Sequence, residues 1–270
     1  MSCSQDGTVR LWGVAQRACL VVYRSHATPV WSLSFAPIGA LFATCGYDRS
    51  VRVWRTDHPQ PVRLLCGHLA DVRCCAFHPN VCYLASGSDD ASVRVWDLAS
   101  AKTVRLLCRS GHAAAVSCLA FSPDGIFLAS GGDDCQLLLW DLPTGTLCCR
   151  IRAHATPLWS IAFSQEGTQL ATSASDCTVA IWDATAAAEA EPPPPPHPAQ
   201  VERSSHADRL AEASEADGGT CADSTSAQHL VVRLHTKHTP VASLRYSRTN
   251  LLLATGAFCP PDKPQQQSTA

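Results

Sequence analysis

Five tryptophans at a nearly constant spacing constrain what this chain can fold into. They lie 42 or 44 residues apart, at Trp12, Trp54, Trp96, Trp140 and Trp182. An aspartate precedes each of them by six residues, and a histidine leads each of the last four units. A period in the low forties indicates a repeat protein, in which each unit stacks on its neighbours. We therefore expect one repeat domain rather than two unrelated domains.

Each unit contains four short apolar or β-branched stretches bounded by turn residues, which predicts four strands. In one complete unit they run over residues 72–77, 83–87, 92–96 and 103–108. Together with the histidine, aspartate and tryptophan, this pattern resembles WD40 repeats. The resemblance implies an all-β fold, a WD40 β-propeller. Four blades are complete, and we expect a fifth to be a composite of strands from both chain ends. Alternatively, the blades belong to a larger, seven-bladed family propeller.

The composition changes after Asp183. Residues 184–229 are rich in alanine, proline and acidic side chains and carry a net charge of −6, which leaves +4 for the remainder. Such a stretch cannot bury enough apolar surface to offset its ordering entropy. We predict propeller blades over 1–183, a disordered insertion over 184–229, terminal propeller strands over 230–258 and a disordered tail over 259–270.

A histidine, a hydroxyl residue, an aspartate and a tryptophan recur at fixed offsets in four units. Ser, His and Asp together suggest a hydrolase triad. An active site needs one accessible copy, however, and four equal copies favour buried hydrogen-bonded networks. We therefore expect no catalytic residues and no enzymatic activity. The predicted structural tetrads are His26/Thr44/Asp48/Trp54, His68/Ser86/Asp90/Trp96, His112/Ser130/Asp134/Trp140 and His154/Thr172/Asp176/Trp182.

Composition also bears on the possible ligands. The fifteen cysteines include no Cys-x-x-Cys pair, which favours buried thiols in a reducing compartment over a zinc site or disulfides. We expect no cofactor and no metal. The chain has no run of 18 apolar residues, so we expect no membrane contact. A mild positive balance without a clustered basic face argues against direct DNA binding and is compatible with an acidic protein partner.

A second set of residues falls on the top face of WD40 blades and is a candidate for partner binding. Trp31 and Trp159 each directly follow the first core residue of a strand, near the rim of the central channel. Arg73 has the same position in its own unit, and Tyr47, Asp89 and Asp133 each directly precede a tetrad aspartate. Trp, Tyr and Arg dominate interface hot spots. The alternative is that both tryptophans pack beneath a loop. The candidates are Trp31, Tyr47, Arg73, Asp89, Asp133 and Trp159.

Longer stretches resemble one WD40 subfamily more closely. Residues 67–72, 77–80 and 250–258, together with the position of the acidic insertion, are similar to the WD40-bearing TBP-associated factor of TFIID and its SAGA paralogue. The resemblance implies a nuclear, non-enzymatic scaffold in RNA polymerase II transcription initiation. Its partners would be histone-fold and other TBP-associated or SAGA subunits. The choice between TFIID and SAGA stays open.

The alternative function is a WD40 substrate receptor or adaptor of a ubiquitin ligase. Receptors of the cullin type often carry Trp-Asp-x-Arg after the third strand of a blade. Here the corresponding residues are Trp96-Asp97-Leu98-Ala99, and the other Trp-Asp copies also lack the arginine. The motif therefore argues against this alternative.

Overall fold

A computed structural model describes residues 1–108, 111–188, 229–236 and 239–256. Almost all of these residues lie in antiparallel sheets or in the turns between strands. The predicted tail, and the predicted insertion between residues 189 and 228, lie outside the described residues.

The first sheet has three strands and is called the N-terminal sheet. Its strands are β1 (Ser2–Cys3), β2 (Thr8–Gly13) and β3 (Ala18–Arg24), and they pair in chain order.

Four complete four-stranded blades follow, each with its strands a, b, c and d paired in chain order. Blade 1 contains β4 (Val30–Phe35), β5 (Leu41–Gly46), β6 (Ser50–Arg55) and β7 (Pro61–Cys66). Blade 2 contains β8 (Val72–Phe77), β9 (Tyr83–Ser88), β10 (Val93–Asp97) and β11 (Lys102–Leu107). Blade 3 contains β12 (Val116–Phe121), β13 (Phe127–Gly132), β14 (Gln136–Asp141) and β15 (Thr146–Arg152).

Blade 4 is completed by a strand from beyond the predicted insertion. It contains β16 (Leu158–Phe163), β17 (Gln169–Ala174) and β18 (Thr178–Asp183), followed by a short helix, α1 (Ala184–Ala188), and β19 (Leu230–His235). The C-terminal pair consists of β20 (Val241–Tyr246) and β21 (Leu252–Gly256). The architecture confirms the predicted all-β propeller, because blades of one plan stack side by side.

The core lies between blades rather than inside any one of them. One cluster combines Val53 and Leu65 of blade 1 with Phe77 and Trp96 of blade 2. The next joins strands c and d of blade 2 to Trp140 of blade 3. A sheet with two apolar faces must bury both, so each blade needs its neighbours for stability. The tetrad tryptophans of the four complete blades are at most 1% exposed.

The expected composite fifth blade is not formed by the described residues. The N-terminal sheet and the C-terminal pair are separate sheets with no hydrogen-bonded strand between them. The strand b position beside β2 is already taken by β1, through the pairs Ser2↔Arg10 and Cys3↔Val9. The Ser2 Oγ also accepts a hydrogen bond from Trp12 Nε1 at 2.9 Å, as hydroxyls do in the complete blades. Within the described residues β21 therefore pairs with β20 and not with β2.

The predicted disordered insertion begins too early in the chain. Residues Ala184–Ala188 form α1, and Ala184 and Ala187 are buried in the cluster that joins blades 3 and 4. Asp183 caps this helix, because its Oδ1 accepts hydrogen bonds from the backbone N–H groups of Thr185 and Ala186 at 3.0 and 3.2 Å. Alanine has the highest helix propensity, and this local signal outweighs the low-complexity composition.

Candidate functional site

The predicted tetrads are chains of hydrogen bonds that cross each complete blade. In blade 2, His68 Nδ1 lies 3.0 Å from Asp90 Oδ2, and its Nε2 lies 2.7 Å from Ser86 Oγ. The Trp96 Nε1 donates to the same hydroxyl at 2.8 Å. The same contacts recur in blades 1, 3 and 4 at 2.8–3.0 Å. Each chain therefore links strands b and c to the turn that precedes strand a.

The aspartate of each tetrad also holds the turn between strands b and c. Asp90 Oδ1 accepts hydrogen bonds from the Ser92 backbone at 2.9 Å and from the Ser92 hydroxyl at 2.6 Å. Its Oδ2 additionally accepts from the Leu69 N–H at 2.9 Å. A carboxylate with this many donors is held in its ionised form.

Hydrogen bonding and burial together determine which side chains of a tetrad are charged. Burial opposes ionisation of Asp90, but hydrogen bonds from Ser92, Leu69 and His68 outweigh it and lower the pKa of the carboxyl to about 2. Burial lowers the pKa of His68, although Asp90 opposes that effect. The pKa of His154 is lowered by burial in the same way. The tetrads of blades 2 and 4 are therefore ionised at aspartate and neutral at histidine.

We expect the protein to lose stability in acid in two stages. A histidine whose pKa is lower in the folded state favours the folded form above its unfolded pKa of about 6.5, and this advantage fades as the pH falls below that value. The contribution of Asp90 is lost lower still, as the pH falls from about 4 towards its folded pKa. Thermal unfolding followed by circular dichroism at pH 7.5 and pH 5 should show a midpoint lower by several degrees at pH 5, since 1 kcal/mol corresponds to about 2–4 °C. A midpoint that stayed constant or rose would contradict this assignment of charges.

The tetrads do not have the geometry of a hydrolase site. The hydroxyl residues Thr44, Ser86, Ser130 and Thr172 are 0% exposed. Each hydroxyl is already engaged by a histidine and an indole N–H, so no substrate carbonyl can approach it. These residues therefore serve the fold.

The top-face candidates owe their orientation to a repeated irregularity of strand a. In every strand a the register shifts around the second residue, so that this residue has no partner on strand b. Such a β-bulge re-aims the side chain away from the regular ladder. Trp31 and Trp159 occupy this position, and each is 43% exposed. They are not packed beneath a loop.

Arg73 occupies the same bulge in blade 2 and connects two blades. Its Nη2 donates to Asp89 Oδ2 and its Nη1 to Asp133 Oδ2, both at 3.2 Å. The contact with Asp133 reaches across to blade 3. In blade 3 the bulge residue is Ser117, whose Oγ donates to the Leu158 carbonyl of blade 4 at 2.6 Å. The bulges therefore carry contacts between blades as well as exposed side chains.

The structure brings together only some of the candidates. Arg73, Asp89 and Asp133 form one cluster, whereas the exposed Tyr47 lies in blade 1 and is not part of it. Trp159 lines the central channel, a space of about 670 Å³ bordered mainly by residues of strand a. The top face thus presents a charged cluster in blades 2 and 3 and exposed aromatic side chains in blades 1 and 4.

The described part of the chain also bears on metal binding, disulfide bonds and membrane-spanning helices. Within it, no three His, Cys, Asp or Glu side chains are arranged to hold a metal ion. The thirteen cysteines among the described residues are all free thiols. No helix in these residues has the length and apolar character required to cross a membrane.

Comparison with known families agrees with this geometry. The family model for the WD domain, G-beta repeat, matches residues 17–55, 59–97, 103–141 and 145–183. Since these matches cover more than half of the chain, the protein belongs to the WD40 repeat family. No curated protein matches the chain. Propellers of this family are generally non-enzymatic, and the WD40 repeats indicate that this chain is a scaffold for protein–protein interaction.

Proposed function

We propose that this propeller is a non-enzymatic assembly scaffold in the nucleus, in a coactivator of the TFIID or SAGA type. Its partners would be histone-fold subunits, docked on the top face. The support for the complex is the similarity of residues 67–72, 77–80 and 250–258 to the TBP-associated WD40 subunit. This assignment extends the general scaffold role of WD40 propellers to one kind of assembly.

We place the binding surface on the top face because two large aromatic side chains are exposed there, at bulge positions of strand a. Trp31 and Trp159 have no pairing partner on strand b and are not buried in the core. Exposed tryptophans leave a large apolar area in water, and covering it with a partner is favourable. Arg73 lies in the same register and adds the other residue type that dominates hot spots.

The test is affinity purification of the tagged chain from nuclear extract, with bound proteins identified by mass spectrometry. The variant Trp31→Ala/Trp159→Ala should lose the histone-fold subunits that the wild-type chain recovers. Removing one hot-spot side chain costs about 2 kcal/mol or more, which corresponds to about thirty-fold in affinity. Quantitative recovery should therefore fall at least to that extent.

Trp12→Ala is the matched control, since Trp12 is 44% exposed but lies in the N-terminal sheet, on strand c rather than in a bulge of strand a. It should retain the partners. Recovery of cullin-type ligase subunits instead of TBP-associated or SAGA subunits would overturn the proposal in favour of the substrate-receptor alternative. Equal recovery by the double variant and the wild type would exclude the two tryptophans as the contact.

A further inference from the structure

The outer strands of blades 1 and 2 expose aliphatic side chains in a repeated pattern. Val62 and Leu64 on β7 are 38% and 52% exposed, and Val104 and Leu106 on β11 are 44% and 48% exposed. Both blades have neighbouring sheets on both sides, so the exposure is a property of the outer edge itself. Clustered exposed apolar residues mark interaction surfaces more often than scattered ones do.

A groove between blades 2 and 3 adjoins the exposed pair on β11. Its volume is about 270 Å³, and its walls include Val95 and Val104 of blade 2 and Leu142 and Pro143 of blade 3. His78 also lines it, but both ring nitrogens are engaged, with the Asn80 N–H at 3.1 Å and the Gly125 carbonyl at 2.9 Å. A space of this size admits a large apolar side chain.

The charge at this groove comes from Arg105. Its Nη2 donates to the Pro143 carbonyl at 3.2 Å, and its Nη1 donates to the Val104 carbonyl at 3.4 Å. Carbonyl oxygens fix the position of the guanidinium but leave its positive charge uncompensated. Arginine in such a position is suited to pairing with a carboxylate.

The surroundings extend the positive potential. Strands c and d of blades 1 and 2 carry six basic residues and a single acidic one, Asp97, whereas strands a and b of these blades carry only Arg73. The basic residues are Arg52, Arg55, Arg63, Arg94, Lys102 and Arg105. Arg52 and Arg55 are ion-paired with Asp48 and Asp57, whereas none of the described residues forms an ion pair with Arg63, Arg94, Lys102 or Arg105. These four uncompensated positive charges favour a partner of the opposite sign.

We propose that this groove is a second docking site, which takes an apolar side chain from an acidic segment of a partner protein. The aliphatic walls accept the apolar side chain, and Arg105 pairs with an adjacent aspartate or glutamate. Single-stranded nucleic acid fits less well, because bases need aromatic platforms and Tyr83 is the only aromatic residue besides His78 along the groove. The groove is formed by strand residues of blade 2 and by turn residues of blades 2 and 3, and none of them is a top-face candidate. It therefore does not depend on the top face or on the identity of the complex.

The probe is a random peptide library, selected in parallel on the full wild-type chain and on Val104→Ser. We expect the wild type to enrich peptides that combine aspartate or glutamate with leucine or an aromatic residue. A labelled peptide of the enriched consensus, measured by fluorescence anisotropy, should bind at least about ten-fold more weakly to Arg105→Glu.

Arg152→Glu is the matched control, because Arg152 is an exposed arginine on the strand d of blade 3 and does not line the groove. It should bind the consensus peptide within about two-fold of the wild type, since a distant surface charge contributes little. Melting curves of all variants establish that they are folded. Equal enrichment on Val104→Ser, selection of basic peptides, tighter binding of a labelled DNA oligonucleotide, or self-association of the chain lost in Val104→Ser would overturn the proposal.

Discussion

Replacing Trp140 by alanine should lower the free energy of unfolding by about 3–5 kcal/mol, the range for truncating a large buried aromatic side chain. Trp140 is 1% exposed, belongs to the cluster that joins blades 2 and 3, and donates its indole N–H to Ser130 Oγ at 2.9 Å. The substitution opens a cavity between the blades and also leaves the hydroxyl without one partner. Chemical denaturation followed by circular dichroism measures the loss.

Trp12→Ala provides the comparison within the same chain. Trp12 occupies the same motif position as Trp140 but is 44% exposed, and its hydrogen bond to Ser2 lies at the surface. Its removal should cost about 1 kcal/mol or less, since little apolar area returns to water. Similar losses for the two variants would mean that burial between blades does not determine the value of the motif tryptophan.

Asp90→Ala should lower the free energy of unfolding by about 2–4 kcal/mol. The aspartate accepts hydrogen bonds from His68, from Ser92 and from the Leu69 backbone. Alanine leaves these donors without an acceptor in a largely buried position, and each orphaned buried group costs about 1–3 kcal/mol before relaxation. The change should appear as a lower unfolding midpoint with an unchanged denaturant slope.

Asp89→Ala is the control for Asp90→Ala, because the adjacent carboxylate pairs only with Arg73 at the surface. Exposed ion pairs contribute about 1 kcal/mol or less, so this variant should stay close to the wild type. An Asp90→Ala protein as stable as Asp89→Ala would disprove the structural role of the tetrad.

Much of the fold could be predicted from the sequence because it depends on local patterns that repeat. Strand alternation, turn residues and the spacing of Trp54, Trp96, Trp140 and Trp182 are each visible within one unit. The tetrad is equally local, since its members lie on strands b and c and in two turns of the same repeat unit. Repetition adds further support, because each unit provides an independent copy of the same evidence.

Features that depend on contacts between blades could not be predicted in the same way. The link from Arg73 to Asp133 spans 60 residues of sequence and exists only because the two blades stack. Whether the two chain ends pair is likewise a matter of tertiary geometry, and among the described residues β2 pairs with β1 and not with β21. The groove at Arg105 combines residues of two blades, although the exposed Val104-x-Leu106 alternation was a local signal for it.

The repeated bulge of strand a separates recognition from stability. Its residue is outside the hydrogen-bonded ladder, so the pairing of strands a and b does not depend on the side chain that stands there, although Arg73 and Ser117 also use the position to contact the next blade. The five bulge residues are Trp31, Arg73, Ser117, Trp159 and Ala242, which differ in size, charge and polarity. A repeat fold of this kind can therefore diversify its ligands by changing one residue per blade, at little thermodynamic cost to the scaffold. Evolution of new partners and maintenance of the fold then proceed at different positions of the same strand.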